Sequence, residues 1–228
     1  MIGRFIQEAK NLFDNEKYQE IYDLCNQELT NFENIGRDYT EDECHYIATI
    51  YSTMAQILDD EEALNCLNCA ISFVSNNASL YYQRADIKKE LSDFKGAIAD
   101  YSIIIENAPT QEAYVARAMT RFSLEDYKGV ISDCTKAIEI FPDFIHAYGV
   151  RGEAKMYLND YESALEDFRT ILSLDPENIG AKRGFVDAKS MLSENGLQCL
   201  ECTLKTGQRV RQFATDEGLI EIPIDDEE

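Results

Sequence analysis

The feature that most restricts how this chain can fold is a period. Stepping back 34 residues from Tyr161 reaches Tyr127, and 33 more reaches Phe94; the same steps from Pro176 reach Pro142 and Pro109. Small residues recur with them: Ala85, Ala118 and Gly152 early in each unit, then Ala97 and Ala164 later, with Val130 the exception. Between Ile145 and Asn178, Tyr148, Tyr161, Phe168, Ile171, Leu172 and Leu174 fall at helical spacing on two segments. Each unit therefore reads as a helical hairpin with an apolar stripe on both helices. Such stripes are too wide for one hairpin to hide, so neighbouring hairpins must stack. Small residues allow two helix backbones to cross closely, and Pro stops the second helix before the next hairpin begins.

In order, each unit reads YxxRA or YxxRG, then DY or DF, then AI, VI or AL, then Pro. This pattern resembles the tetratricopeptide repeat family, whose period is 34. The match runs from Ala78 to Asn178. The resemblance implies an all-α fold: a right-handed α-solenoid of stacked antiparallel helix hairpins, about four to five repeats with a C-terminal capping helix. The expected domains are a divergent hairpin and loop over 1–43, an array over 44–178, a capping helix over 179–196 and a tail over 197–228. Within the array the divisions fall at 44–77, 78–110, 111–144 and 145–178.

The first hairpin places Phe5, Ala9 and Leu12, then Ile21, Cys25 and Leu29, at helical spacing, with Tyr18 at the turn. Thr40 followed by Glu43 reads as a capping box opening the next helix. The unit over 44–77 keeps the apolar positions but lacks the turn aromatic and the Pro.

Composition narrows the function. Hydrophobic residues make up 45% of the chain, yet no apolar run is long enough to span a bilayer, so no membrane insertion is expected. The opening residues MIGRFIQEAKNLFD carry acids within the apolar pattern, unlike a secretory leader, and the expected location is cytoplasmic, or else nuclear. Seven cysteines, an odd number without scaffold spacing, suit a reducing compartment. A net charge of −22 (21 basic against 43 acidic residues) repels a phosphate backbone, so nucleic acid is not expected as a partner. Two CxxC pairs, Cys66 with Cys69 and Cys199 with Cys202, lack a nearby His or second pair, so no metal is expected. No phosphate-cradling Gly loop or zincin helix is present, and the two histidines, His45 and His146, stand far apart. No catalytic residue and no cofactor are expected.

Arg84, Arg117 and Arg151 share one place in the first helices; Asp100, Asp133 and Asp167 follow sixteen residues later. In hairpins turning near Ser92, Glu125 and Asn159, residues so spaced face each other. Each Arg is therefore expected to pair with its own Asp as a structural strut, since a partly buried Arg without a partner is costly. Were the pairs absent, three stacked arginines would form an anion-binding ladder.

The resemblance also implies where a partner binds. In the family the first helices line a concave groove that holds an extended or helical segment of another protein. The matching places here are Tyr82 and Asp86, then Val115, Met119 and Phe122, then His146, Val150, Glu153 and Met156. Val115, Met119 and Val150 are expected to face the groove and make its centre apolar; Phe122 and Met156 fit either the groove or the hairpin core. The chain thus reads as a non-catalytic adaptor or assembly scaffold for an apolar segment of another protein. The alternative is a co-chaperone that recognises apolar client segments. The carboxylate clamp of heat-shock co-factors is not expected, because its places hold Tyr82 and Asp86, Ala116, then His146 and Val150. In the tail, Leu219, Ile220, Ile222 and Ile224 form an apolar strip around Pro223, expected to be extended. Its expected role is docking, on a partner, in the protein's own groove, or in self-association.

Overall fold

The computed structural model describes residues 2–32, 38–193, 200–203, 209–215 and 218–223. The chain divides into two compact units, Met1–Leu124 and Glu125–Glu228.

In the first unit, helices α1 (Ile2–Phe13) and α2 (Tyr18–Thr30) form a hairpin. Helices α3 (Glu41–Ala55) and α4 (Asp60–Phe73) form the next, then α5 (Ala78–Glu90) and α6 (Phe94–Asn107), and α7 (Gln111–Phe122) closes the unit. The cores show how the hairpins lean on each other. Phe5, Ala9, Ile21 and Cys25 pack with Tyr46, Ile47, Ile50 and Met54 of α3. Ala48, Ala55, Ala63, Leu67 and Ala70 of the second hairpin include Leu80 of α5 in their cluster, and Tyr81, Ala85, Ala97, Tyr101 and Ile104 include Ala113 of α7. Each hairpin is completed by the first helix of its successor, which is the stacking that the period demands.

The second unit holds α8 (Tyr127–Ile140), α9 (Ile145–Tyr157), α10 (Tyr161–Leu174) and α11 (Ile179–Ser193). Phe168 of α10 is buried with Ala164, Ile171 and, from α11, Ala181, Phe185 and Ala188. A Cβ on Gly152 would lie 2.9 Å from the Phe168 ring, and one on Gly184 2.5 Å. The two glycines let α9 and α11 approach this ring from either side.

The corners follow a rule. Ser92, Glu125 and Asn159 adopt φ of 62°, 57° and 59°, a left-handed conformation that turns the chain in one residue. Asp93, Asp126 and Asp160 come next, and their carboxylates accept the backbone N–H of Gly96, Gly129 and Ser163. The acid satisfies an orphan donor and lies favourably at the helix N-terminus. Asp59 caps α4 in the same way without a left-handed residue before it. Thr40 and Glu43 form a reciprocal capping box on α3.

After α11 comes an element that the repeat pattern does not announce. Strands β1 (Leu200–Thr203), β2 (Arg209–Thr215) and β3 (Gly218–Pro223) form an antiparallel sheet in that order. Leu219, Ile220 and Ile222 lie in β3, opposite Ala214, Phe213 and Arg211. Within the described residues the strip is extended, and one edge of its backbone is paired to β2. Pro223 ends an edge strand, where a missing N–H is tolerated. Ile224 and Cys199 lie outside the described residues.

Candidate partner-binding faces

The arginines come first, because they decide what the first helices can offer. Arg84 donates through Nε and Nη2 to Asp100 at 3.0 and 2.6 Å, and Arg151 to Asp167 at the same distances. Lys88 and Lys155, one turn further along, reach the same carboxylates at 2.8 Å. The remaining nitrogen, Nη1, reaches back to the second helix of the preceding hairpin. Arg84 donates to Asn68 at 2.7 Å, Arg117 to Ser102 at 2.9 Å and Arg151 to Thr135 at 3.0 Å. Each guanidinium also lies over a tyrosine three residues earlier, Tyr81, Tyr114 or Tyr148, at 5.4, 5.8 and 5.4 Å. Asp100, Asp133 and Asp167 are all buried. Burial pulls the pKa of Arg151 down, but the hydrogen bonds and charge of Asp167 more than offset this and leave it raised. These arginines are committed to joining helices, so they do not form an open ladder for anions.

A first helix such as α5 or α9 has two buried arcs, one against the helix that follows it and one against the helix before it. At 100° per residue, the arc left to solvent is narrow. Met119 lies on it, 47% exposed, but Val115 is only 3% exposed and Val150 only 9%. The expectation that Val115 and Val150 line a groove is therefore corrected. Val150 stands between Ala147 and Ala154 at spacings of three and four, and all three are buried on one stripe. That alternation was a legible signal in the sequence. Phe122 and Met156 are half-buried, whereas His146 and Glu153 are exposed. The His146 ring packs against Phe144 at 6.2 Å. Tyr82 is half-buried, edge-on to Tyr101 at 5.7 Å. Asp86 is exposed and accepts the Tyr101 hydroxyl at 3.0 Å and Lys89 at 3.2 Å. Burial, then the neighbouring Asp86 carboxylate, pushes the Tyr101 hydroxyl pKa up, so it remains a donor.

The exposed arc is thus acidic with apolar islands. In the first unit it carries Asp86, Glu90, Glu112 and Met119; in the second, His146, Glu153, Tyr157, Asp187 and Met191. Tyr157 is 61% exposed. Between α9 and α11 lies a cavity of about 330 Å³ whose apolar lining is Met156, Tyr157 and Phe168. Glu153, Asp187 and Arg183 supply its charges, and Gly180 and Gly184 leave backbone open along one wall.

Among the described residues no group of three His, Cys, Asp or Glu side chains could hold a metal ion. Cys66 and Cys69 share α4, the first half-buried and the second exposed. Burial pushes the Cys25 and Cys134 thiols up to about 12, so neither is poised as a nucleophile. Among the described residues no helix is long and apolar enough to cross a membrane.

The family profile for the tetratricopeptide repeat matches residues 145–178. Solved structures share the wider arrangement of hairpins. A tetratricopeptide repeat protein from Parabacteroides merdae superposes with a TM-score of 0.67 at 18% identity, over 85% of this chain and 74% of that one. Residues 145–178 match the tetratricopeptide repeat, and the chain shares the fold of proteins built from it. MamA gives 0.62 at 17% identity, over 74% of this chain and 95% of that one. YrrB, described as a tetratricopeptide repeat protein with an unusual peptide-binding site, gives 0.58 at 16%, over 69% and 81%. At these identities the likeness establishes the fold of the tetratricopeptide repeats and leaves their partners to the site. Among curated proteins none matches the chain by sequence.

Proposed function

We propose that the protein is a non-catalytic adaptor whose first helices hold a short amphipathic segment of another protein, with apolar anchors and basic flanks. The observation that carries this reading is the cavity between α9 and α11, where Met156 and Phe168 offer an apolar floor beside the carboxylates of Glu153 and Asp187. An apolar side chain entering there leaves water, while Lys or Arg on either side of it meets the acids. The exposed acids and Met119 on the first helices of the first unit repeat the same chemistry. An overall charge of −22 adds a long-range attraction for a basic segment and opposes an acidic one.

Selection from a displayed peptide library tests the proposal. Enriched peptides should combine two or more apolar residues with Lys or Arg, and their binding should weaken at high salt. A Glu153→Lys, Asp187→Lys double variant should lose them by about tenfold or more, the change that 1.4 kcal/mol corresponds to. Enrichment of acidic peptides, or indifference to the double variant, would overturn the reading. Val115→Glu is not a usable probe, since it places a charge in the buried seam of α7.

A further inference from the structure

The first unit has a second cavity, also about 330 Å³, enclosed by α2, α3 and α4 rather than by successive first helices of regular repeats. Four of its lining residues are aromatic: Phe32, Tyr39, Tyr51 and Phe73. The rings meet as adjoining walls. Phe32 and Tyr39 stand 6.2 Å apart at 69°, Tyr39 and Phe73 5.7 Å apart at 64°, and Phe73 continues to Tyr51 at 6.4 Å and 17°. Tyr39 is held in this arrangement by its hydroxyl, which donates to the Phe32 carbonyl at 3.0 Å. Met54 adds a polarisable thioether, and among the described residues none of those lining the cavity is charged.

We propose that this cavity is a binding site for an aliphatic ammonium group, carried by a methylated lysine of a partner or by a small quaternary amine. Ring faces carry negative potential and attract a cation placed over them. Phe32, Tyr39 and Phe73 meet at steep angles and so can flank a compact, weakly hydrated headgroup from more than one side, with Tyr51 stacked beside Phe73. A neutral guest of equal size would gain the same apolar contact but not the attraction of the rings. It would also not be drawn by the charge of −22. The site lies in the first unit and uses neither Glu153 nor Asp187, so it stands or falls separately from the adaptor reading.

The test uses the full chain labelled with carbon-13 at the methionine methyls, titrated with choline and with its neutral isostere 3,3-dimethyl-1-butanol. The Met54 methyl should shift and saturate with choline, while Met119, outside the cavity, and Met156, lining the other one, stay still. Choline should bind about tenfold more tightly than the isostere, the ratio that 1.4 kcal/mol corresponds to. Phe73→Leu and Tyr51→Leu keep apolar bulk and remove a ring face, so they should abolish that preference while the other methionine signals confirm an intact fold. Peptides bearing lysine or trimethyllysine then separate the sources. Tighter binding of the trimethylated peptide than of choline supports a protein-borne group, and the reverse supports a free amine. A motionless Met54 methyl, equal affinity for the two probes, or a preference that survives both ring removals would overturn the assignment.

Discussion

Hairpin α9–α10 is joined by charge. Arg151 and Lys155 converge on the buried carboxylate of Asp167, and Arg151 also reaches Thr135 of the preceding helix. Hairpin α3–α4 is joined by apolar residues, Ala48 and Ala55 with Ala63, Leu67 and Ala70, and Tyr51 stacks on Phe73 at its edge. The first arrangement ties three helices to one geometry, because a buried ion pair tolerates little displacement. The second is less directional. It can accommodate irregular neighbours such as Phe32 and Tyr39, and the aromatic cavity lies beside it. Regularity in the later hairpins is maintained by charged struts, and hairpin α3–α4 shows what packing does without them.

The comparison can be broken most directly at Asp167. Asp167→Ala leaves Arg151 and Lys155 partly buried without their acid and should cost about 3 to 5 kcal/mol in denaturant or thermal unfolding. Asp59→Ala in hairpin α3–α4 removes only a helix cap and should cost about 1 kcal/mol. Equal losses would erase the distinction between the two hairpins.

Glycine packing sharpens it next. Gly184→Ala drives a Cβ into the Phe168 ring and should destabilise by about 1 to 3 kcal/mol despite better helix propensity. Gly149→Ala meets nothing closer than 3.9 Å and should stabilise by up to about 1 kcal/mol. Opposite signs in thermal melts are the expected outcome.

Alkaline pH should affect the two units alike. Cys25 in α2 and Cys134 in α8 have thiols raised by burial from 9.0 to about 12. A folded-state pKa above the unfolded one favours the protonated, folded form. Its contribution is fully present below pH 9 and is lost as pH rises towards about 12. The slope should approach about 1.4 kcal/mol per pH unit for each thiol. Urea titrations between pH 8 and 11 measure it, and replacing either cysteine with alanine should flatten the dependence.

The smallest effect concerns the corners. Ser92→Gly relieves a left-handed conformation and should stabilise by about 0.5 to 1 kcal/mol. Gln56→Gly, at the right-handed corner of α3–α4, should destabilise by a similar or smaller amount. A stabilising Gln56→Gly would show that the two kinds of corner are equivalent.

Much of the fold was legible in residues that act over short distances. A period of 33 to 34, an Asp directly after each corner and a Pro after each second helix specify hairpins whatever the remainder of the chain does. Arg and Asp sixteen residues apart across a short corner are also local information, since helix pitch and corner length place them opposite one another. The binding face was less legible. Tyr82, Met119, His146 and Glu153 could be placed on first helices by register, but burial of Val115 and Val150 follows from where the neighbouring helices cross.

Sequence alone thus determined the repeat, the capping box of Thr40 with Glu43 and the pairing of Arg84 with Asp100 and of Arg151 with Asp167, because each depends on spacing along one or two adjoining helices. Tertiary structure decided which arc of a first helix remains open, how Gly152 and Gly184 enclose Phe168, and where four separated aromatic residues become the walls of one cavity. It also decided that β1 to β3 pair into a sheet. These features depend on crossing angles and long-range pairing, in which a shift of an ångström or one residue of register changes which side chains meet.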